Sequence, residues 1–234
     1  MRLSQLIVED PPAGAVERQY VQSTLEDLTE GLGRVVGDYG AHELTSVVCA
    51  LSLLGYYDGP LLQQIFEASW RLLPSMSPRI ACGMLWSFAR YHRDFKLPVD
   101  LEWADAMLEH VVMDLELCTP SVLSQALYAS ALLRHRPSAV WTERVLTYTQ
   151  QHMGEFSARD VSGSLWSLAT LRLDPGRPWL DAALAQAEAE TRGFVSGTSV
   201  ASVLWALAVL GHKPEKSWME HFLWQVGTHA ACDP

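Results

Sequence analysis

The chain has 234 residues, 49% hydrophobic and 19% charged, a globular composition that excludes disorder and leaves room for a sizeable core. Its 17 lysines and arginines against 27 aspartates and glutamates give a formal charge of −10, which argues against nonspecific nucleic-acid binding but allows a local basic ridge. No apolar run approaches the roughly 20 residues that span a bilayer, no signal pattern is seen in the first thirty residues, and Cys49, Cys82, Cys118 and Cys232 lie too far apart for a disulfide framework or a structural zinc site. They read as reduced thiols in a core. Fourteen of the cations are arginine, which suits planar phosphate and base recognition, although GC-rich coding explains the bias equally well.

In chain order, residues 1–15, with Pro11, Pro12 and Gly14, read as a leader or a short capping element. A first helix is predicted over 17–36. After it comes the first of five similar segments, which open at Val48, Leu85, Leu127, Leu165 and Leu204, spaced 37, 42, 38 and 39 residues apart. Leu165-Trp-Ser-Leu-Ala-Thr-Leu-Arg172 and Leu204-Trp-Ala-Leu-Ala-Val-Leu-Gly211 show the pattern best. Eight residues before each segment stands a small or hydroxyl residue: Gly40, Ser77, Thr119, Ser157 and Ser196. These are N-cap types, so five helices of one kind, here called B, begin at one phase of a repeat near 39 residues. Pro78 and Pro120 fit the first helical position, and Asp160 stands where a side chain reaches back to its cap.

A second helix precedes each B helix. Trp103, Trp141, Trp179 and Trp218 open these A helices, each with a leucine five residues later, and Leu61 with Phe66 stands in an earlier copy. The A helices are predicted over 17–36, 60–73, 100–116, 139–154 and 178–192, with a sixth near 216–228 that has no B partner. One hairpin cannot bury its apolar face alone, whereas a stack of five can. The predicted fold is therefore all-α: an α-solenoid of about five helical hairpins in antiparallel pairs plus a C-terminal capping helix. It forms one domain over 16–234, with repeats 16–57, 58–96, 97–136, 137–175, 176–213 and a partial unit 214–234. Small residues at the third and fifth places of the B motif imply close helix approach. Trp86, Trp166 and Trp205, at the second place beside them, are expected in the core rather than as platforms for a ligand.

A repeat of this length, with its opening tryptophan and its Leu-Trp-Ala-Leu-Ala-x-Leu-Gly ending, resembles the octatricopeptide repeat, related to the repeats of RAP-domain and FAST-kinase-like organellar proteins. The resemblance covers about residues 17–228. It implies an organellar RNA-binding protein, mitochondrial before chloroplast, acting on a transcript or as a subunit of a large ribonucleoprotein such as a divergent mitochondrial ribosome. Its partners would be ribosomal RNA or an organellar transcript and other subunits of the complex. In the family pattern an asparagine commonly stands two residues before the B-helix leucine. Ser46, Gly83, Gln125, Gly163 and Ser202 occupy that place, and only Gln125 offers an amide. Small residues at a helix crossing are the simpler meaning.

No nucleophile elbow, phosphate loop or dinucleotide fingerprint is present, so no enzyme and no cofactor is expected. Asp100, Glu102 and Asp105 suit a helix N-terminus, and His221, His229 and Cys232 suit a fraying helix end better than a metal site. One constellation recurs. Arg90, Arg93, Lys96, Arg134, Arg136, Arg172 and Lys213 gather where B helices end, beside His92, His135 and His212. A stack would line them along one edge as an RNA-binding ridge. The same cations would also offset helix dipoles, and an acidic scaffold that binds protein instead of RNA is the alternative.

Overall fold

The computed structural model describes residues 15–194 and 197–230. Among these there are eleven α-helices and no strand. They are α1 (Ala15–Val35), α2 (Ala41–Leu54), α3 (Gly59–Leu72), α4 (Pro78–Phe95), α5 (Leu101–Val112), α6 (Pro120–Leu133), α7 (Ala139–Gln151), α8 (Ala158–Leu171), α9 (Arg177–Ala189), α10 (Gly197–Leu210) and α11 (Lys216–Ala230). Of the leader expected over 1–15, residues 1–14 lie outside the described residues, and Ala15 already opens α1. The cap expected at Ser196 also lies outside them.

Local chemistry sets the starts of the even-numbered helices. Ser77 and Thr119 accept the backbone N–H of Ile80 and Val122, each beside a proline at the first helical position. Ser157 and Asp160 close a reciprocal capping box. The odd-numbered helices stop earlier than the sequence suggests. Expected ends at 116, 154 and 192 become Val112, Gln151 and Ala189, because a separate 3-10 turn follows: Leu115–Leu117, Met153–Glu155 and Thr191–Gly193. The same turn follows α1 at Val36–Asp38 and α3 at Leu73–Ser75. Tightening the last turn satisfies carbonyls that an α-helix leaves open.

Consecutive even-numbered helices lie side by side from α2 to α10, and odd-numbered helices likewise meet their odd-numbered neighbours. The odd rank is keyed by indoles. Trp103 Nε1 donates to Ser69 Oγ at 2.8 Å, Trp141 to the Leu108 carbonyl at 2.8 Å, Trp179 to Thr149 Oγ1 at 2.9 Å and Trp218 to the Leu184 carbonyl at 3.1 Å. Trp103, Trp141 and Trp179 are fully buried, so each ring fills the core while its one polar atom is satisfied.

The even rank is keyed by small residues. A β-carbon on Gly83 would stand 3.1 Å from Thr45 Cγ2, and one on Gly163 would stand 3.2 Å from Ser124 Oγ. Cys82 Sγ donates to the Val122 carbonyl at 3.2 Å and Ser124 Oγ to the Asp160 carbonyl at 3.1 Å, contacts open only to closely spaced backbones. Burial pushes the Cys118 thiol up to about 11 and raises that of Cys82 as well, which marks both as core groups and not nucleophiles. Gly83→Val is expected to cost about 1–3 kcal/mol in chemical unfolding, the usual cost of overpacking. The same change at Gly31, which has nothing within 4 Å, is expected to cost much less.

Candidate nucleic-acid interface

The even-numbered helices present one face away from the odd rank, and residues spaced 4, 3 and 4 apart share it. On α6 these are Ser121, Gln125, Tyr128 and Leu132; on α8 they are Arg159, Gly163, Trp166 and Thr170; α4 supplies Arg79, Gly83, Trp86 and Arg90. The three rings of this face, with Arg90, Arg93, Gln125 and Arg159 and with Thr198, Ser199 and Ser202 of α10, line an open groove of about 740 Å³.

Aromatic rings run along the groove. Trp86, Tyr128 and Trp166 line it, and the Tyr128 and Trp166 ring centroids are 5.0 Å apart with planes inclined at 40°. Trp86 and Trp166 are half-buried, and Trp205, next in register, is 46% exposed. The expectation that these three tryptophans belong to the core is therefore corrected. The A-helix tryptophans fill the core, and the B-helix rings pave the surface. Small neighbours on the even-numbered helices bring the backbones so close that a large ring at the second motif place has no room between them.

Cations stand at both margins of the ring row. The Arg90 guanidinium lies 4.9 Å from the Trp86 ring centroid and donates from Nη2 to the Ser52 carbonyl at 3.1 Å, while its buried Nε has no partner. Arg93 forks onto Asp94 at 2.6 and 2.9 Å, and that guanidinium holds the Asp94 carboxyl below the usual carboxylate range. On the opposite margin Arg159 is exposed, and Arg79 is exposed at the same register of α4. Asp160 is the one carboxylate lining the groove among the described residues. It is spent on the capping box and on Ser121 Oγ at 3.0 Å.

The single edge predicted for the cations divides into three sets. Arg90 and Arg93 turn into the groove. Lys96, Arg134 and Arg172 are the residues just past the ends of α4, α6 and α8, each with a left-handed backbone. Arg136 is committed elsewhere: its Nε donates to the Leu171 carbonyl at 2.8 Å and its Nη2 to the Arg172 carbonyl at 2.5 Å, closing the end of α8. Lys213 is exposed two residues beyond Gly211, which ends α10. The histidines are partly spent on A-helix acids, His135 on Asp105 at 2.6 Å and His212 on Asp181 at 3.5 Å. His221 pairs with Glu188, and the side chains of His229 and Cys232 lie outside what the structure describes. Among the described residues no group of three or more metal-ligating side chains forms.

The Tbc2 translation factor N-terminal domain is the family whose model matches residues 11–174, most of the chain. The chain belongs to this family. The match takes in Trp86, Tyr128 and Trp166 and the groove arginines Arg90, Arg93 and Arg159, so the ring row lies inside the Tbc2 domain. Among curated proteins no match is found. The family description makes the role translation-related, and among the described residues no helix is long and apolar enough to cross a membrane.

Proposed function

We propose that this Tbc2-type domain binds single-stranded RNA during translation, laying bases on the row Trp86, Tyr128 and Trp166 with phosphates held by the arginines at its margins. The observation that carries this reading is the half-buried ring row lining an open groove and flanked by arginine in a chain of net charge −10. Stacking on aromatic rings is sequence-tolerant and suits an unpaired strand. The packing of even with even and odd with odd helices supports an α-solenoid of five hairpins closed by α11, with repeats of octatricopeptide type. That resemblance also supports an organellar address, mitochondrial before chloroplast. The translation-factor description favours action on a transcript over permanent membership of a ribosome. No catalytic chemistry is assigned. A protein scaffold is the second reading, favoured by Trp224, which is 67% exposed on α11.

Salt dependence separates the two. Binding of a short single-stranded oligoribonucleotide should weaken linearly in log–log form with salt. Arg90→Gln and Arg93→Gln should each reduce the slope by about 0.7, the value for one lost phosphate contact on a single strand. Arg136→Gln should leave the slope alone and lower the stability of the chain, because it lies outside the groove lining and both its Nε and its Nη2 serve backbone carbonyls. Unchanged slopes in both groove variants would move the scaffold reading into first place.

A further inference from the structure

Five even-numbered helices end at equivalent places, and the residue after each has a left-handed backbone. In the first and last it is glycine, Gly55 at φ 66° and Gly211 at φ 69°. In the middle three it is Lys96 at φ 60°, Arg134 at φ 53° and Arg172 at φ 53°. Glycine is the residue this conformation favours, since any side chain there crowds its own backbone. Three successive repeats accept that strain and place a cation at the site each time. Dipole compensation alone does not ask for this, because a cation anywhere in the last turn serves it. Their backbone N–H groups already meet helix-end carbonyls, Lys96 bonding to His92 at 3.1 Å and Arg134 to Ala131 at 3.1 Å, and the Lys96 ammonium gives one of its three donors to the Arg93 carbonyl at 3.1 Å.

A second, independent observation lies beside two of these cations. His92, Arg93, Lys96 and Arg134 border a pocket of about 460 Å³, closed by Trp166 and Thr170 and lined by no carboxylate. Thr170 Oγ1 is buried there without a hydrogen-bond partner. Among the described residues no acid pairs with Lys96 or Arg134, and the acid partner of Arg93 is Asp94, outside the lining. Trp166 and Arg93 border both this pocket and the ring groove, so the two spaces adjoin.

We propose that this pocket is a phosphate-binding site. Lys96 and Arg134 hold the anion beside the Thr170 side chain, and the base attached to that phosphate lies on Trp166. The site anchors a bound strand by its backbone where it leaves the ring groove, and in this it rests on the RNA reading above. Arg172, at the equivalent place one repeat further, continues the track about 10 Å on, the usual spacing of packed helices.

The test uses the chain with Lys96→Gly and Arg134→Gly combined. Glycine relieves the left-handed strain, so the variant should melt at the same temperature as the parent or higher. It should bind a 12-nucleotide single-stranded RNA at least tenfold more weakly, as expected when charge-assisted hydrogen bonds are lost. Its salt slope should be lower by about 1.4, two phosphate contacts at 0.7 each. Titration of the parent with adenosine, adenosine monophosphate and the dinucleotide ApA, followed at the Trp166 indole N–H by NMR, identifies the phosphate. Saturation by ApA and not by adenosine supports a strand phosphodiester, and loss of that response in the variant supports the assignment of the two cations. Saturation by the monophosphate alone, with no RNA binding by the parent, overturns the strand anchor and the RNA reading together and leaves a mononucleotide pocket. RNA binding with unchanged affinity and slope in the variant overturns the pocket while the RNA reading stands.

Discussion

Trp141→Ala is expected to lower the unfolding free energy by about 3–5 kcal/mol, among the largest costs of any single change in the chain. The indole is fully buried, and its N–H reaches the Leu108 carbonyl at 2.8 Å. Truncation removes a large apolar volume from between α5 and α7 together with the hydrogen bond by which the indole ties the two helices. Both terms act at a junction between neighbouring units, so the stack should lose cooperativity as well as stability. Urea unfolding followed by circular dichroism measures the effect. Trp166→Ala on the groove is expected to cost about 1–2 kcal/mol, since a half-buried ring loses roughly half the burial. Equal costs for the two would remove the distinction between core and groove tryptophans.

The second large effect concerns binding. Trp86→Leu, Tyr128→Leu and Trp166→Leu together should reduce affinity for single-stranded RNA at least 100-fold. Alanine substitution at a base–aromatic stack costs about 1–3 kcal/mol, and each 1.4 kcal/mol is tenfold, so three stacks at about 3 kcal/mol or more reach that bound. Leucine keeps apolar bulk against the helix while removing the flat π-face, so helix content should hold. The arginines remain in this variant, and its salt slope should therefore stay near that of the parent. Loss of affinity at constant slope is the signature of stacking; loss of slope would mean that the rings act by positioning the cations.

Much of this architecture is legible in the sequence because it is local. Ser77, Thr119 and Ser157 announce helix starts through their own hydroxyls, and each cap can be read within four residues. The opening tryptophans announce the A helices for the same reason. What repeats cannot reveal is which recurring ring is buried. Trp103 and Trp86 each recur at one phase, and a period alone assigns neither to an interior. Their neighbours on the helix do. Trp103 shares its face with Met107, and both are buried. Trp86 shares its face with Arg79, Gly83 and Arg90, and Tyr128 with Ser121 and Gln125. Reading the polar residues four and seven places away would have moved those rings to the surface. The fate of the cations depended on longer-range geometry. Arg136 finds its carbonyls 35 and 36 residues on, in the next repeat, where no local pattern reaches.

The most direct test of an RNA-binding ring groove is photochemical cross-linking of the intact chain to a short uridine-rich oligoribonucleotide, with the modified residues identified by mass spectrometry. Cross-links at Trp86, Tyr128 and Trp166, competed by unlabelled RNA and suppressed as salt rises, are the expected result. Cross-links confined to the odd-numbered helices, or a chain that binds no RNA at low salt, would contradict it.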